Sequence, residues 1–351
     1  MPSATFKNEI KHIYEKDSIF NQYKPLAKKY QVDLCLFSFM HIKHNLKMMK
    51  ALVFSCKKDN LIWKPVSVPR VNIVRNTSYV VNQRLIKKFE LFRSKNIHFI
   101  NFPLYLQANK LKNYEYLSSF DDFKSHIPPV KILSFANLNS FIRQYGKVII
   151  KPIYGSKGKG ITIIERNQDG YHVYQNARFN LKHNKITVPH LQIKNFYNKA
   201  FRRPASFLVQ QWIPFKECNG LPFDIRAVVQ KNGKGEWQVT SRVARVAREK
   251  GQITNLNQGG EMVSLSELQL KEYYRDIQEF CLDIAENFEK LYPWAAEMGI
   301  DLAIDKKGKL WYIETNYCPE KVKWSTIYKV PFEHAYYMYI NSPPHGETSF
   351  C

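Results

Sequence analysis

Residues 300 to 320, IDLAIDKKGKLWYIETNYCPE, read as a β-hairpin in which two apolar runs flank a Lys-Lys-Gly turn. Side chains alternate along a strand, so Glu314 and Asn316, two apart, face the same way. A four-residue turn from Lys306 to Lys309 sets Asp301 opposite Glu314, and a shorter turn with a bulge does the same. Two carboxylates and an amide oxygen converging from one hairpin are hard donors, the set that Mg2+ accepts while keeping waters and phosphate oxygens in its shell. The competing reading, a solvated polar face, leaves unexplained why like charges sit among Ile300, Trp311 and Ile313. Asp301, Glu314 and Asn316 are therefore candidate metal ligands on a sheet.

Two further stretches carry chemistry. In KVIIKPIYGSKGKGITII a β run brings Lys151 to its end, and a loop with Gly155, Ser156, Lys157, Gly158 and Gly160 leads into a second β run. Such a loop bends tightly, and its successive N–H groups can cradle phosphate oxygens. The strand–loop–strand context excludes the P-loop and the dinucleotide-binding fingerprint, which both need a following helix; an ordinary Gly-rich hairpin with a solvated lysine stays open. In FLVQQWIPFKECNGLPFDIRAVVQ a strand runs into a polar connection, and the next strand carries Asp224 and Arg226 on one face. That pair suits a ribose hydroxyl and a phosphate, Arg being the planar fork that phosphate prefers. Alone, it reads better as a structural ion pair.

Composition bounds the function classes. With 351 residues, 44% apolar and 14% aromatic, the chain is globular and long enough for two or three domains. The six cysteines, Cys35, Cys56, Cys218, Cys281, Cys318 and Cys351, form no CxxC pair and read as reduced thiols, which argues against a disulfide scaffold or a structural zinc site. The segment MPSATFKNEI lacks an apolar signal region, and no run approaches the roughly 18 apolar residues of a membrane span. The expectation is a cytoplasmic protein without a membrane span. The 53 Lys and Arg against 30 Asp and Glu give a net charge of +23, which attracts polyanions. Because Lys is spread along the whole chain with abundant Asn, Ile, Tyr and Phe, compositional bias is the stronger explanation.

The chain divides by pattern into an N-terminal α/β domain over 1–105, a first α/β unit with the Gly-rich lid over 106–205, a second with the metal site over 206–342, and a loose tail over 343–351. In the first of these, VDLCLFSF, KALVFSC and VNIVRN read as strands and Tyr79 to Lys95 as a helix.

The order of these features, a lysine before a Gly-rich hairpin, a strand and hinge, an acid-x-Arg strand, then an Asp with a distal Glu-x-Asn, resembles the ATP-grasp superfamily. It is closer still to that superfamily's YheC/YheD family, known as endospore coat-associated. WKPVSVPRVNIVRN, NKLKNYEYL, FDIRAVVQKNGKGEWQVTSRVARV, ITNLNQGGE and GIDLAIDKKGKLWYIETNYCPE carry the likeness, over about residues 60 to 325. The resemblance implies an α/β (α+β) ATP-grasp fold in which two α/β units clamp ATP. It further implies that Lys110 and Lys151 contact phosphates and that Gly155 to Gly160 form a phosphate lid. The adenine edge falls to the backbone near Gln211, Trp212 and Ile213, with Gln210 where many relatives have Glu. Asp224 matches the ribose position, Arg226 and Arg245 the phosphate or acylphosphate side, and Asp301, Glu314 and Asn316 the ligands of two Mg2+ ions. Asn255, with Gly259 and Gly260, matches a segment lining the substrate side.

The implied activity is an ADP-forming carboxylate–amine ligase working through an acylphosphate. Its partners are ATP, a carboxylate and an amine, with an acidic peptide or protein and spore-coat components as candidates, and nucleic acid disfavoured. A non-catalytic ATP-binding coat or scaffold protein and a polyanion-binding module are the alternatives, and spore-coat association is the alternative to a cytoplasmic location. On this reading Asp301 and Glu314 are exposed in an open cleft, so replacing either relieves repulsion and does not lower the melting temperature much.

Overall fold

The computed structural model describes residues 19–42, 48–67, 73–75, 98–100, 109–155, 158–176, 183–247, 261–317, 319 and 326–341. The expected helix over Tyr79 to Lys95, the tail over 343–351, Ser156, Lys157, Asn255, Gly259 and Gly260 lie outside the described residues.

Helix α1 (Ile19–Tyr30) precedes strands β1 (Leu34–Ile42), β2 (Met48–Ser55) and β3 (Asn60–Ser67), which form an antiparallel sheet in that order. The short β4 (Ile73–Arg75) and β5 (His98–Ile100) pair in parallel. Tyr23 of α1 meets Phe332 edge-on at 5.3 Å, and Ala27 and Phe54 share a small core with that ring, which ties the N-terminal elements to the C-terminal helix.

The first large sheet contains β6 (Val130–Ile132), β7 (Lys147–Pro152), β8 (Thr162–Arg166), β9 (Gly170–Asn176), β10 (His183–Pro189) and β11 (Phe207–Gln211) in the order β10-β9-β8-β7-β11-β6, with every neighbour antiparallel. Helices α2 (Lys110–Ser118) and α3 (Asp121–Lys124) lie before it in sequence, and α4 (Phe135–Tyr145) and α5 (Ile193–Ala200) between its strands. Ser134 caps α4 by accepting from the N–H of Asn137, and Gly146, at φ 71°, ends it where a side chain would strain the backbone. Leu138, Phe141 and Ile142 of α4 pack on Val148, Ile150, Ile164 and Val209.

The second sheet holds β12 (Glu217–Cys218), β13 (Leu221–Lys231), β14 (Trp237–Val246), β15 (Glu261–Ser264), β16 (Glu297–Ile304) and β17 (Leu310–Asn316) in the antiparallel order β15-β14-β13-β16-β17, with β12 on β13. Phe223, Ile225, Ala227 and Val229 of β13 alternate onto one face and are covered by Ile277, Cys281, Ile284 and Phe288 of α6 (Tyr274–Leu291). The charged residues between them fall on the other face, as the two-residue period requires. Helix α7 (Thr326–Asn341) reaches the far end of that face, where Ile327 packs on Val228.

Two placements differ from the boundaries expected at 205/206. Strand β11 pairs with β7 and β6, so Phe207–Gln211 completes the first sheet and the crossing to the second follows it. Helix α2 precedes the first sheet in sequence, yet Tyr114 and Leu117 are buried in the core of the second. Strand pairing decides the first case and apolar burial the second, since side chains at helical spacing do not specify which sheet they cover. No helix among the described residues is long and apolar enough to cross a membrane. Cys35, Cys56, Cys218 and Cys281 are free thiols, and burial pushes that of Cys35 up to about 12.

Candidate active site

The hairpin that opened the sequence reading forms with the shorter turn and a bulge. Asp305 and Lys309 close a turn over Lys306–Gly308, Gly308 takes φ 85°, and the Asp305 carboxylate accepts from the N–H groups of Lys307 and Lys309 and from Trp311 Nε1. Leu302 pairs with Tyr312 but Asp301 pairs with Glu314, so Ile313 is the extra residue. The bulge puts the two carboxylates opposite each other, with Asn316 opposite Gly299.

A transverse row of charge crosses this face. Arg226 of β13 lies opposite Asp301 of β16, which lies opposite Glu314 of β17. Both oxygens of Asp301 are engaged: Oδ1 accepts from Arg226 Nε, and Oδ2 accepts from Arg226 Nη2 at 2.9 Å and lies 2.9 Å from Arg245 Nη2. Arg245 also donates to both oxygens of Asp224, at 2.7 and 2.6 Å. Burial works to raise the Asp301 pKa, but the two guanidiniums outweigh it and hold the carboxyl below its ordinary value. Burial opposes the charge on Arg245 too, and Asp224 and Asp301 more than compensate, keeping it charged. Gly299 makes this possible, because a Cβ there would come within 3.2 Å of Arg226 Cδ and 3.0 Å of Pro319 Cβ. The only sequence signal for Gly299 is a small residue two before Asp301 on the same strand face.

The lysines arrive from the other sheet and from α2. Lys110, just after the cap Asn109, donates through Nζ to the carbonyl of Gly155 at 2.6 Å and lies 3.8 Å from Glu314 Oε2. Lys151 is buried on β7, where its ammonium donates to Tyr114 Oη and stands 4.8 Å from the ring centre. Burial lowers its pKa to about 8, against the opposing pull of Glu314 and Asp301. Gly155, Gly158 and Gly160 all take positive φ, and Gly160 approaches Pro152 so closely that a Cβ would sit 3.1 Å from Cγ.

At the crossing between the sheets, the N–H of Gln211 is bonded to Pro129 O at 3.0 Å and that of Trp212 to Lys147 O at 3.2 Å. The N–H of buried Ile213 has no intrachain acceptor among the described residues, which leaves it as the backbone donor of that segment. Gln210 is buried, and its Nε2 has no bond of good geometry, although the amide is near enough to Tyr114 to pull the phenol's raised pKa downward.

The structure thus brings Lys110, Lys151, Glu314 and Asn316 together with the Arg226–Asp301–Arg245–Asp224 cluster. No three His, Cys, Asp or Glu side chains converge on a metal geometry among the described residues. The candidate set is two carboxylates and an amide, all oxygen donors, and one lone pair of Asp301 Oδ1 is not taken by an arginine, so it fits a cation that keeps waters and phosphate oxygens. Glu314 is the carboxylate with most freedom to bind one. A shallow depression lined by Ala136, Asn139, Ser140, Arg143 and Gln144 lies apart, on the outward side of α4.

Comparison with known proteins follows the same lines. Over 183 residues, 50% of this chain and 40% of the relative, the chain is 28% identical to endospore coat-associated protein YheD of Bacillus subtilis (strain 168). Over 201 residues, 54% of this chain and 53% of the relative, it is 21% identical to endospore coat-associated protein YheC of the same organism. The matched segments thus span about half or less of these curated relatives. Among solved structures, a biotin carboxylase–β,γ-ATP complex from Campylobacter jejuni superposes with a TM-score of 0.53 at 12% identity, over 78% of this chain and 55% of that one, a likeness of fold. Residues 96–340 match the family described as YheC/D like ATP-grasp, and the chain belongs to that family.

Proposed function

We propose that the protein is an ATP-dependent, ADP-forming ligase that joins a carboxylate to an amine through an acylphosphate. Use of ATP is general to ATP-grasp enzymes, as is Mg2+; the reaction and substrates are the proposal. The observation that carries it is the approach of Lys110 to Glu314, which sets a cation of α2 beside the one carboxylate of the row that no arginine holds.

Glu314 and Asn316, with the remaining lone pair of Asp301, would hold Mg2+. When bound, Mg2+ would supply positive charge that offsets the charge of the terminal phosphates. The chain's own work is positioning. Lys151 and Lys110 bind phosphate oxygens, the backbone of the Gly155–Gly160 loop covers them, and the N–H of Ile213 meets the adenine edge. The substrate carboxylate attacks the γ-phosphorus as the bond to ADP breaks. The amine then attacks the acyl carbon and phosphate leaves. Arg226 and Arg245 face the charge that develops on the acylphosphate, held ready by Asp301 and Asp224 so that little reorganisation is needed. The ribose role expected of Asp224 requires its Arg245 partner to yield. The net charge of +23 favours an anionic carboxylate donor such as an acidic peptide.

One observation favours a second reading, a coat or scaffold protein that binds ATP without turnover: Asp301 and Asp224 are both occupied by arginines. Incubation with ATP, Mg2+, acidic peptides and amines separates the two. The ligase yields ADP and phosphate only when carboxylate and amine are both present, and the scaffold leaves ATP intact.

A further inference from the structure

Tyr114 makes one of the polar contacts that join the two halves of the site. It sits on α2, is 1% exposed, and its ring meets Tyr312 edge-on at 5.7 Å in the core of the second sheet. Its hydroxyl reaches out of that core in two directions. It donates to the carbonyl of Ile313, and it accepts from the ammonium of Lys151, which stands on the first sheet.

Each bond has a reason in the local structure. Ile313 is the residue left over by the β-bulge that sets Glu314 opposite Asp301, so it stands outside the regular register of the pair. The carbonyl is half-buried, where lacking a partner is costly, and the phenol supplies one. A phenol has one proton to give. With that proton committed to Ile313, the oxygen meets Lys151 only as an acceptor, which fixes the direction of the whole chain from Lys151 to Tyr114 to Ile313. Lys151 is left with two of its three ammonium protons for the cleft.

We propose that Tyr114 is a positioning residue that locks the phosphate-side lysine of one sheet to the bulge carrying Glu314 on the other. It touches neither nucleotide nor metal, acting on both through Lys151 and Ile313. The inference rests on the nucleotide-binding reading above and deepens it, because it names the part that keeps the lysine and the carboxylate at a fixed spacing. Burial, foremost, keeps the phenol protonated far above neutral pH, so the link persists over the working range.

The test is binding without turnover. Calorimetric titration of the full chain with ADP and Mg2+ is compared for wild type, Tyr114→Phe, Lys151→Ala and the double variant. Tyr116→Phe is the control, since its hydroxyl bonds to the Asn287 carbonyl at 3.0 Å, away from this chain of contacts. Phe keeps the ring packing and removes both hydrogen bonds. Tyr114→Phe is expected to weaken ADP by five- to twenty-fold, while the double variant is no weaker than Lys151→Ala alone. The control should match wild type. Wild-type affinity in Tyr114→Phe, or a loss in the double variant equal to the product of the two single losses, overturns the proposal. A lower melting temperature with unchanged affinity assigns Tyr114 a packing role only and overturns it equally. If wild type itself fails to bind ADP with Mg2+, the nucleotide-binding reading falls together with this one.

Discussion

Arg226 and Asp301 face each other across β13 and β16, and the guanidinium donates to both oxygens of the carboxylate, with Nη2 to Oδ2 at 2.9 Å. Asp301 is 3% exposed and shared with Arg245, so its charge is embedded between two cations, which outweigh repulsion from Glu314. The sequence reading expected its removal to be harmless to stability. The structure reverses that: removing one member of a buried ion pair leaves the others uncompensated, which costs about 3–5 kcal/mol.

Asp301→Ala is therefore expected to unfold at distinctly lower urea concentration than wild type. Glu314→Ala, whose partner Lys110 is 3.8 Å away, should lose about 1 kcal/mol or less. Equal stability of the two variants would show that the arginine cluster is not what holds Asp301.

Acid sensitivity is predicted at His334. It is buried on α7, where burial, aided by Lys231 and against the pull of the Asn232 carbonyl and Glu289, lowers its pKa to about 4 from 6.5. The unfolded chain then binds the proton first. Stability is full above about pH 6.5, declines as pH falls towards about 4 and levels below, by roughly 3 kcal/mol at most. Denaturation curves at pH 7 and pH 5 check this, and His334→Gln should flatten the difference. A slope that persists in the variant assigns the effect to other groups.

Lys151 gives a pH dependence of binding. With a pKa of about 8 in the nucleotide-free protein, it loses charge as pH rises through that value, so ATP affinity should fall between pH 7 and 9. Lys151→Arg remains charged and should remove the trend. Lys151→Ala should weaken ATP by about 1.5–3 kcal/mol at pH 7, as expected for a lost charge-assisted bond. Calorimetry across that range reads all three.

Much of the site is legible from strand alternation alone. Asp224 and Arg226 two apart, and Glu314 and Asn316 two apart, had to share faces, and the pairing of Asp301 with Glu314 needed only a short turn and a bulge. What alternation does not show is who faces whom across a sheet. That Arg245 would reach both Asp224 and Asp301 depends on the order β14-β13-β16, which local pattern does not encode. Tyr114 escaped for a similar reason. A tyrosine at helical spacing reads as core, and only the meeting of α2, β7 and the β17 bulge gives its hydroxyl two partners. The allotment of β11 to the second unit likewise followed chain order, whereas its hydrogen bonds go to β7 and β6.

Salt dependence distinguishes a functional charge from compositional bias. If the +23 recruits an acidic peptide, affinity for poly-glutamate should drop steeply between about 50 and 300 mM salt, while affinity for ATP in the cleft falls less. Fluorescence anisotropy with labelled peptide checks this. A flat response for both ligands returns the charge to composition.

The most direct measurement is the fate of ATP in the presence of hydroxylamine. The protein is incubated with ATP, Mg2+ and a panel of acidic peptides and amino acids, with hydroxylamine replacing the amine, and phosphorus NMR and hydroxamate formation are followed together. With the proposed placement of the terminal phosphates at Lys110, Lys151 and Glu314, ADP, phosphate and hydroxamate are expected in equal amounts with the true carboxylate. AMP and pyrophosphate, or ADP released without hydroxamate, would contradict it.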